Sequence, residues 1–327
     1  MKEIATLVGL RAHRRSLFAY SQSTRMGKYM GALLLAVLVG CGGGSAGGGE
    51  SDTPATQASG PPSAAPPVFT PTSLTAPPRL IAGSGVAFAP FQDPPHPSAG
   101  QVPWGDAVGE GFDAGGQPAR FSAEAGGVTY TYSREPGSQL VDSGSDGIIA
   151  WGRWIGRVRQ SPQQLVYDFA ADSGVHYVLG TRSTSIPTGG RATYTLIAAT
   201  APTWYDGSGA PGRLSGSLSV DFSDPNGRVA VNFVVEMDGG RTYTMTGSAY
   251  AGGANFRGPR ADFPDPITLT GTNGACSFGC FPYLEGFFAG SSAERVGLAY
   301  QITVPQTNPQ PDVASATIQG TAVFERR

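Results

Sequence analysis

Apolar and polar residues alternate with period two through much of the C-terminal half of the chain. Val296, Leu298, Tyr300 and Ile302 alternate with Gly297, Ala299, Gln301 and Thr303. Leu214, Gly216, Leu218, Val220 and Phe222 alternate with Ser215, Ser217, Ser219 and Asp221, and Ala316, Ile318, Gly320, Ala322 and Phe324 alternate with Thr317, Gln319, Thr321 and Val323. Successive side chains of a strand point to opposite faces, so this period predicts strands with one buried face. Further strands are predicted at Ile148 to Val158, Val175 to Gly180, Ala192 to Ala199, Val229 to Met237 and Thr242 to Tyr250, with a weaker signal at Ile267 to Thr272. Asp224-Pro-Asn-Gly and Asp238-Gly-Gly are turn signals between them. Short strands separated by regular turns predict a sandwich or a barrel, beginning near Gly147.

The pattern changes upstream. Residues 79–146 hold Val86-Ala-Phe-Ala, Arg120-Phe-Ser-Ala-Glu and Val128-Thr-Tyr-Thr-Tyr132 as short strand candidates, broken by Pro94-Pro-His-Pro. This region reads as an irregular lead-in that lies against the barrel. Residues 41–78 are Gly-rich and then Pro/Ala/Ser/Thr-rich, with few side chains able to enter a core, and are predicted to form a disordered tether. Before them, Arg25 and Lys28 precede the apolar run Gly31-Ala-Leu-Leu-Leu-Ala-Val-Leu-Val39, which is too short to span a bilayer. A charged, apolar, then small-residue order is that of a secretory signal peptide over residues 1–40, with Met1 or Met26 as its start. An ordinary cleaved signal or a short buried helix is the alternative. Leu38-Val-Gly-Cys41 resembles the lipobox of bacterial lipoproteins, which implies acylation of Cys41 (palmitate among the chains) and, with Gly42 following, sorting to the outer membrane.

Composition narrows the class. Charged residues are only 14%, and 48 glycines and 27 prolines make up nearly a quarter of the 327 residues, which fits low-complexity tracts plus a turn-rich all-β domain. A net charge of −2 leaves no basic footprint for nucleic acid. Besides Cys41 there are Cys276 and Cys280, and an exported chain meets an oxidising compartment, so a small-loop disulfide between them is expected. A metal pair is the alternative, but it lacks two further ligands nearby, the histidines being His13, His96 and His176.

The run Leu284 to Val304 reads as strand, one helical turn, strand. Ser291 and Glu294 stand at capping-box spacing, and Gly290 and Gly297 are placed where the path bends sharply. Glu285-Gly-Phe-Phe-Ala-Gly, then Ala293-Glu-Arg-Val-Gly and an alternating strand, resembles the closing segment of the barrel domain of transferrin-binding protein B-like surface lipoproteins. In that family the motif runs roughly Gly-x-Phe-Tyr/Phe-Gly, a few residues, then Ala-Glu-Glu-Leu-Gly-Gly. Arg295 departs from it by replacing an acidic or neutral residue, and Leu298 extends the apolar face. The resemblance implies an all-β antiparallel barrel of about eight strands over 147–327, one lobe without an evident handle domain. It further implies a surface-exposed binding module for a host protein or an iron- or haem-carrier ligand, serving an outer-membrane receptor or reaching the surface through a translocator. A structural or envelope-assembly lipoprotein facing the periplasm is the second reading. A membrane-spanning barrel would show the same alternation, but the lipobox already supplies an attachment, and bulky Tyr, Phe, Met and Leu on the apolar face suit a filled eight-strand interior.

Little in the sequence carries catalysis, and no enzyme, cofactor or metal is expected. Gly43-Gly-Ser-Ala-Gly47 fits a nucleophile-elbow pattern but lies in a tether without the strand and helix such an elbow needs. Asp172, Ser173 and His176 read as a turn before a strand, and a lone strand histidine is a structural residue more often than a haem ligand. Trp151 and Trp154 are three apart, so they face opposite sides of their strand, one toward the core. Two loops are the binding candidates: one carries Trp204 and Tyr205, the other Phe278, Phe281 and Tyr283 around the cysteine pair. Aromatic residues on loops either fold over the barrel mouth or serve as interface anchors. If Ile267 to Thr272 is a strand, the two loops leave the barrel at the same end.

Overall fold

The alternating stretches pair into two antiparallel sheets. The computed structural model describes residues 85–88, 104–113, 118–125, 128–162, 164–259, 264–277, 279–305 and 316–327. The signal peptide, Cys41, the tether, His13, His96 and Phe278 lie outside the described residues. The first sheet contains β1 (Gly85–Phe88), β2 (Trp104–Phe112), β3 (Pro118–Ala125), β4 (Val128–Arg134), β5 (Gln139–Ser145), β6 (Ile149–Ser161), β7 (Leu165–Phe169) and β8 (Val175–Thr181). Pairing runs β4–β3–β2–β1–β8–β6, and β6 pairs back to β4, so the path closes on itself; β5 and β7 flank β6. Phe121, Tyr132, Trp154, Val158, Val175 and Tyr177 fill this ring, with the Phe121 and Trp154 rings 4.8 Å apart.

The second sheet contains β9 (Arg191–Ala199), β10 (Thr203–Trp204), β11 (Arg213–Asp221), β12 (Arg228–Met237), β13 (Arg241–Gly252), β14 (Asn255–Gly258), β15 (Thr268–Gly271), β16 (Phe281–Ala289), β17 (Arg295–Val304) and β18 (Ala316–Arg326). Strands β9, β11, β12, β13, β14, β16, β17 and β18 follow one another around a closed eight-strand antiparallel barrel, because β18 pairs both β17 and β9. β15 adds to β13 and β10 to β18. A bulge helps closure: Val323 faces Ala198 while Phe324 faces Leu196, leaving Ile197 as the extra residue and switching which face the end of β9 presents.

Periodicity sets what fills the barrel. In β12, Val229, Val231, Phe233, Val235 and Met237 are buried, and the residues between them are half-buried or exposed. Phe233 stacks on Phe324 with centroids 5.5 Å apart, and Tyr194, Phe256, Phe288 and Tyr300 complete the interior. Two glycines make room: a side chain at Gly320 would strike the Tyr300 hydroxyl, and one at Gly286 would strike the Phe256 ring. Outward, β11 shows exposed Arg213, Ser215 and Ser219. A wall facing hydrocarbon would carry its apolar residues outward; this wall carries them inward.

Where β16, β17 and β18 meet the first sheet, both faces are buried. Ala198, Phe287, Ala289, Ala299 and Val323 of the barrel pack on Ile149 and Val178 of the first sheet, and Arg295 ties its edge to Asp146 at 2.6 Å. Trp154 lies in the core of the first sheet and Trp151 packs at this seam, the opposite-face arrangement read from their spacing.

Several expectations need correction. The strands at 149–161 and 175–181 belong to the first sheet, so the barrel ring starts at Arg191 and not near Gly147. Residues 79–146, read as an irregular lead-in with short strands, supply β1 to β5 of that same sheet. A half-buried strand shows the same alternation whichever sheet it joins, and its neighbours are chosen by contacts far away in sequence. The Ser291–Glu294 segment is a turn, not a helical turn, with Gly290 (φ 88°) and Ala293 (φ 62°) in the left-handed region. Glu294 still reaches back, accepting from Ser291 Oγ at 2.6 Å and Ser292 N at 2.8 Å, and these donors hold its carboxyl down at about 2. Gly297 lies inside β17, where the Phe287 ring presses against it, not at a bend.

Candidate functional site

β15 is a strand that pairs antiparallel to β13 beside its first half, as β14 does beside its last residues, so β14 and β15 run in one direction and, with β16 antiparallel to β14, the two aromatic loops share one end. That end gathers residues 200–212 between β9 and β11, the Asp238–Gly240 turn between β12 and β13, and residues 272–280 between β15 and β16. The opposite end has short connections at 222–227, 253–254 and 290–294.

The Asp238–Gly240 turn fastens its neighbours. Trp204 Nε1 donates to Asp238 Oδ1 at 3.3 Å, Arg241 Nη2 donates to the same oxygen at 2.8 Å, and the Arg241 guanidinium lies 4.9 Å from the centre of the Trp204 ring. A cation held over an indole face is attracted by the ring quadrupole. From the other side, Asn273 Nδ2 donates to the Gly240 carbonyl at 2.5 Å, and the Thr242 and Thr272 hydroxyls meet at 2.5 Å. In the sequence Asp238 marks only a turn, and Arg241 and Asn273 carry no signal beyond Arg241 following that Gly-Gly turn.

The aromatic candidates divide. Trp204 is 3% exposed and packs edge-on to Tyr243 inside the barrel mouth. Tyr205, in the turn just past β10, packs the other way, against the core of the first sheet. Both act as plugs rather than as an open surface. Tyr283 is half-buried at the seam, donating its hydroxyl to Glu285 Oε2 at 3.0 Å. Phe281 is 66% exposed and directly follows the disulfide that joins Cys276 to Cys280. Both cysteines pack on the barrel core, and Ala275 between β15 and the bridge is buried there too, so the bridged loop is seated as a cap. Of the named aromatics among the described residues, Phe281 is the one offered to solvent.

His176 is not near this end's surface. Its ring nitrogens lie 2.7 Å from Thr200 Oγ1 and 2.8 Å from Thr203 Oγ1, and it is fully buried. Burial first, and then the nearby Arg153 guanidinium, hold its pKa well below the ordinary imidazole value, so it is a neutral structural bridge between β8 and the 200–212 loop. Asp172 is exposed, the Ser173 hydroxyl donates to the Ala170 carbonyl at 3.4 Å, and both His176 ring nitrogens are taken by threonine hydroxyls, so the three side chains do not meet. Arg153 also pairs with Asp142 at 2.8 Å, which satisfies a guanidinium that is 5% exposed. Glu285, which the sequence flagged only as part of a motif, is 3% exposed on the outer wall, and burial pushes its carboxyl up to about 8. Among the described residues no group of three or more His, Cys, Asp or Glu could hold a metal ion.

No protein-family model matches the chain, and no curated protein matches it. Among solved structures, it is similar to a tryptophan-to-alanine mutant of the vaccine antigen transferrin binding protein B from Haemophilus parasuis Hp5. The identity is 11%, over 74% of this chain and 45% of that one, with a TM-score of 0.31, so the chain spans less than half the length of the protein it is compared with.

Proposed function

We propose that the chain is a lipid-anchored outer-membrane lipoprotein whose eight-strand barrel is a surface binding module for a protein or an iron- or haem-carrier ligand. The membrane attachment rests on the signal-peptide order and the Leu-Val-Gly-Cys41 lipobox. The binding role rests on one observation: the barrel gathers the 200–212, 238–240 and 272–280 connections at a single end, linked by Asp238, Arg241 and Asn273, with Phe281 exposed beside the disulfide. Loops set on a rigid scaffold are where recognition residues concentrate, and an exposed aromatic ring held by its neighbours serves as an interface anchor. An outer-membrane receptor or a surface translocator is the membrane partner that fits this arrangement. Catalysis is no part of the proposal.

A periplasm-facing structural lipoprotein is the second reading, favoured by the inward turn of Trp204 and Tyr205, which leaves the loop end a small apolar area. Protease shaving of intact cells separates the two. Loss of the barrel from the cell surface is expected for a binding module, and full protection would select the periplasmic role. Recovery of a partner by pull-down should drop at least tenfold in Phe281→Ser with the fold unchanged. Equal recovery would remove the loop end from the reading. Palmitate labelling should be lost in Cys41→Ser.

A further inference from the structure

The seam between the two sheets buries a carboxyl that the binding reading leaves unused. Glu285 lies mid-strand in β16 on the outer wall, 3% exposed, with Tyr283 and Phe287 on either side on the same face. Phe287 packs in the seam cluster with Ile149 and Val178, and Tyr283 packs at its edge.

The surroundings of the carboxyl are these. β16 supplies Tyr283, whose hydroxyl donates to Glu285 Oε2 at 3.0 Å. β14 supplies Arg257, directly across the ladder, the one charge among the described residues that acts on the carboxyl. β17 supplies Ala299 opposite and Gln301 on the diagonal; Gln301 is 4% exposed, and its Nε2 has no hydrogen-bond partner. The first sheet supplies Ile148, Ile149, Trp151 and Val178 to the seam cluster, and at the edge of the seam its Asp146 is paired with Arg295 of β17, which also pairs with Glu325 of β18. One hydroxyl donor and one arginine across the ladder are a thin set of partners for a buried anion, which ordinarily needs full pairing and hydrogen bonding.

We propose that Glu285 is a pH-sensitive latch: as a neutral acid it lets the seam between the first sheet and the barrel stay closed, and its ionisation loosens that seam. Burial raises the proton affinity of the carboxyl in the closed form, from the ordinary 4.5 to about 8. In an opened seam the group returns to water and to its ordinary value. The advantage of the closed form is therefore complete below about 4.5. It falls as pH rises through that window and levels off above about 8, with the opening equilibrium growing by up to about tenfold per pH unit in between.

Amide hydrogen exchange on the full chain tests this without any partner, so its outcome is independent of the binding proposal. After correction for base catalysis, opening at Val175–Thr181 and Phe281–Ala289 should rise about tenfold per unit between pH 5 and 8. The β11–β12 hairpin, away from the seam, should not change. In Glu285→Gln the seam response should be flat. An equal rise in that variant, or the same rise in the hairpin, would overturn the latch. Should Glu285→Gln fail to fold, Tyr283→Phe provides the second test. Removing the hydroxyl donor takes away a group that favours the anion, so the midpoint must move to higher pH; an unmoved midpoint also overturns it.

Discussion

Single residues here show how far a side chain's role depends on which way its strand turns it. Trp204 and Tyr205 are adjacent where β10 ends, and one packs in the barrel mouth while the other packs toward the first sheet. Trp204 is thus a core residue with a polar handle, its indole N–H taken by Asp238. Trp204→Ala should cost about 3–5 kcal/mol in chemical denaturation, the usual range for removing a buried tryptophan; a loss below about 1 kcal/mol would mean the mouth refills. Glu294 gives a residue-scale prediction in pH. Its folded pKa lies below the ordinary value because Ser291 and Ser292 donate to the carboxylate. The stabilisation it supplies is present above about 4.5 and is lost as pH falls through about 2. Thermal melts between pH 5 and 2.5 should therefore show a shallower acid loss in Glu294→Gln than in the parent. Parallel curves would show the contacts add nothing beyond solvent.

At the scale of elements, the disulfide loop and the β9 bulge do different work. Cys276 and Cys280 close a short loop whose chain-entropy contribution is about 2 kcal/mol for five residues. Replacing both cysteines by serine should lower stability by about that amount and loosen Phe281 without unfolding the barrel. An unchanged urea midpoint would show that seating against the core, not the bridge, fixes the loop. The bulge at Ile197 lets β9 point Ala192 and Tyr194 into the barrel and then Ala198 toward the first sheet. Ala192 to Ala199, predicted as a strand, alternates faces only as far as that extra residue. Much of the element plan was readable: β11, β12, β17 and β18 fall where their alternation placed them, because a wall between a packed interior and another medium needs two unlike faces. The turn at 291–294 was misread as helical because a Ser followed three residues later by Glu satisfies backbone donors in a tight turn as well as at a helix start.

At the scale of the whole molecule, the barrel is one of two closed sheets, and the face between them is apolar at its centre and polar at its rim. The barrel alone, residues 191–327, would present Ala198, Phe287, Ala299 and Val323 to water. It is expected to bind anilinonaphthalene dye and to self-associate more than the full chain; a barrel that does neither beyond the full chain would show that the seam contributes little. The rim places His176, Thr200, Thr203 and Thr321 in one buried hydrogen-bond network linking residues more than 100 positions apart. Such networks stiffen a contact only when every member is satisfied, which couples the first sheet to the base of the loop end.

The sequence by itself determined that the chain is all-β, which side chains of β11, β12, β17 and β18 share one face, and where the turns flanking β12 lie, because side-chain alternation is a local consequence of the pleat. It also marked the cysteine pair and the two aromatic loops. Only the tertiary structure decided which sheet each strand joins, that the barrel ring begins at Arg191, that Trp204 and Tyr205 point inward while Phe281 stays exposed, and that Glu285 is buried. Those outcomes depend on what packs over a strand's second face, and a strand's own residues do not encode the identity of the surface that covers them.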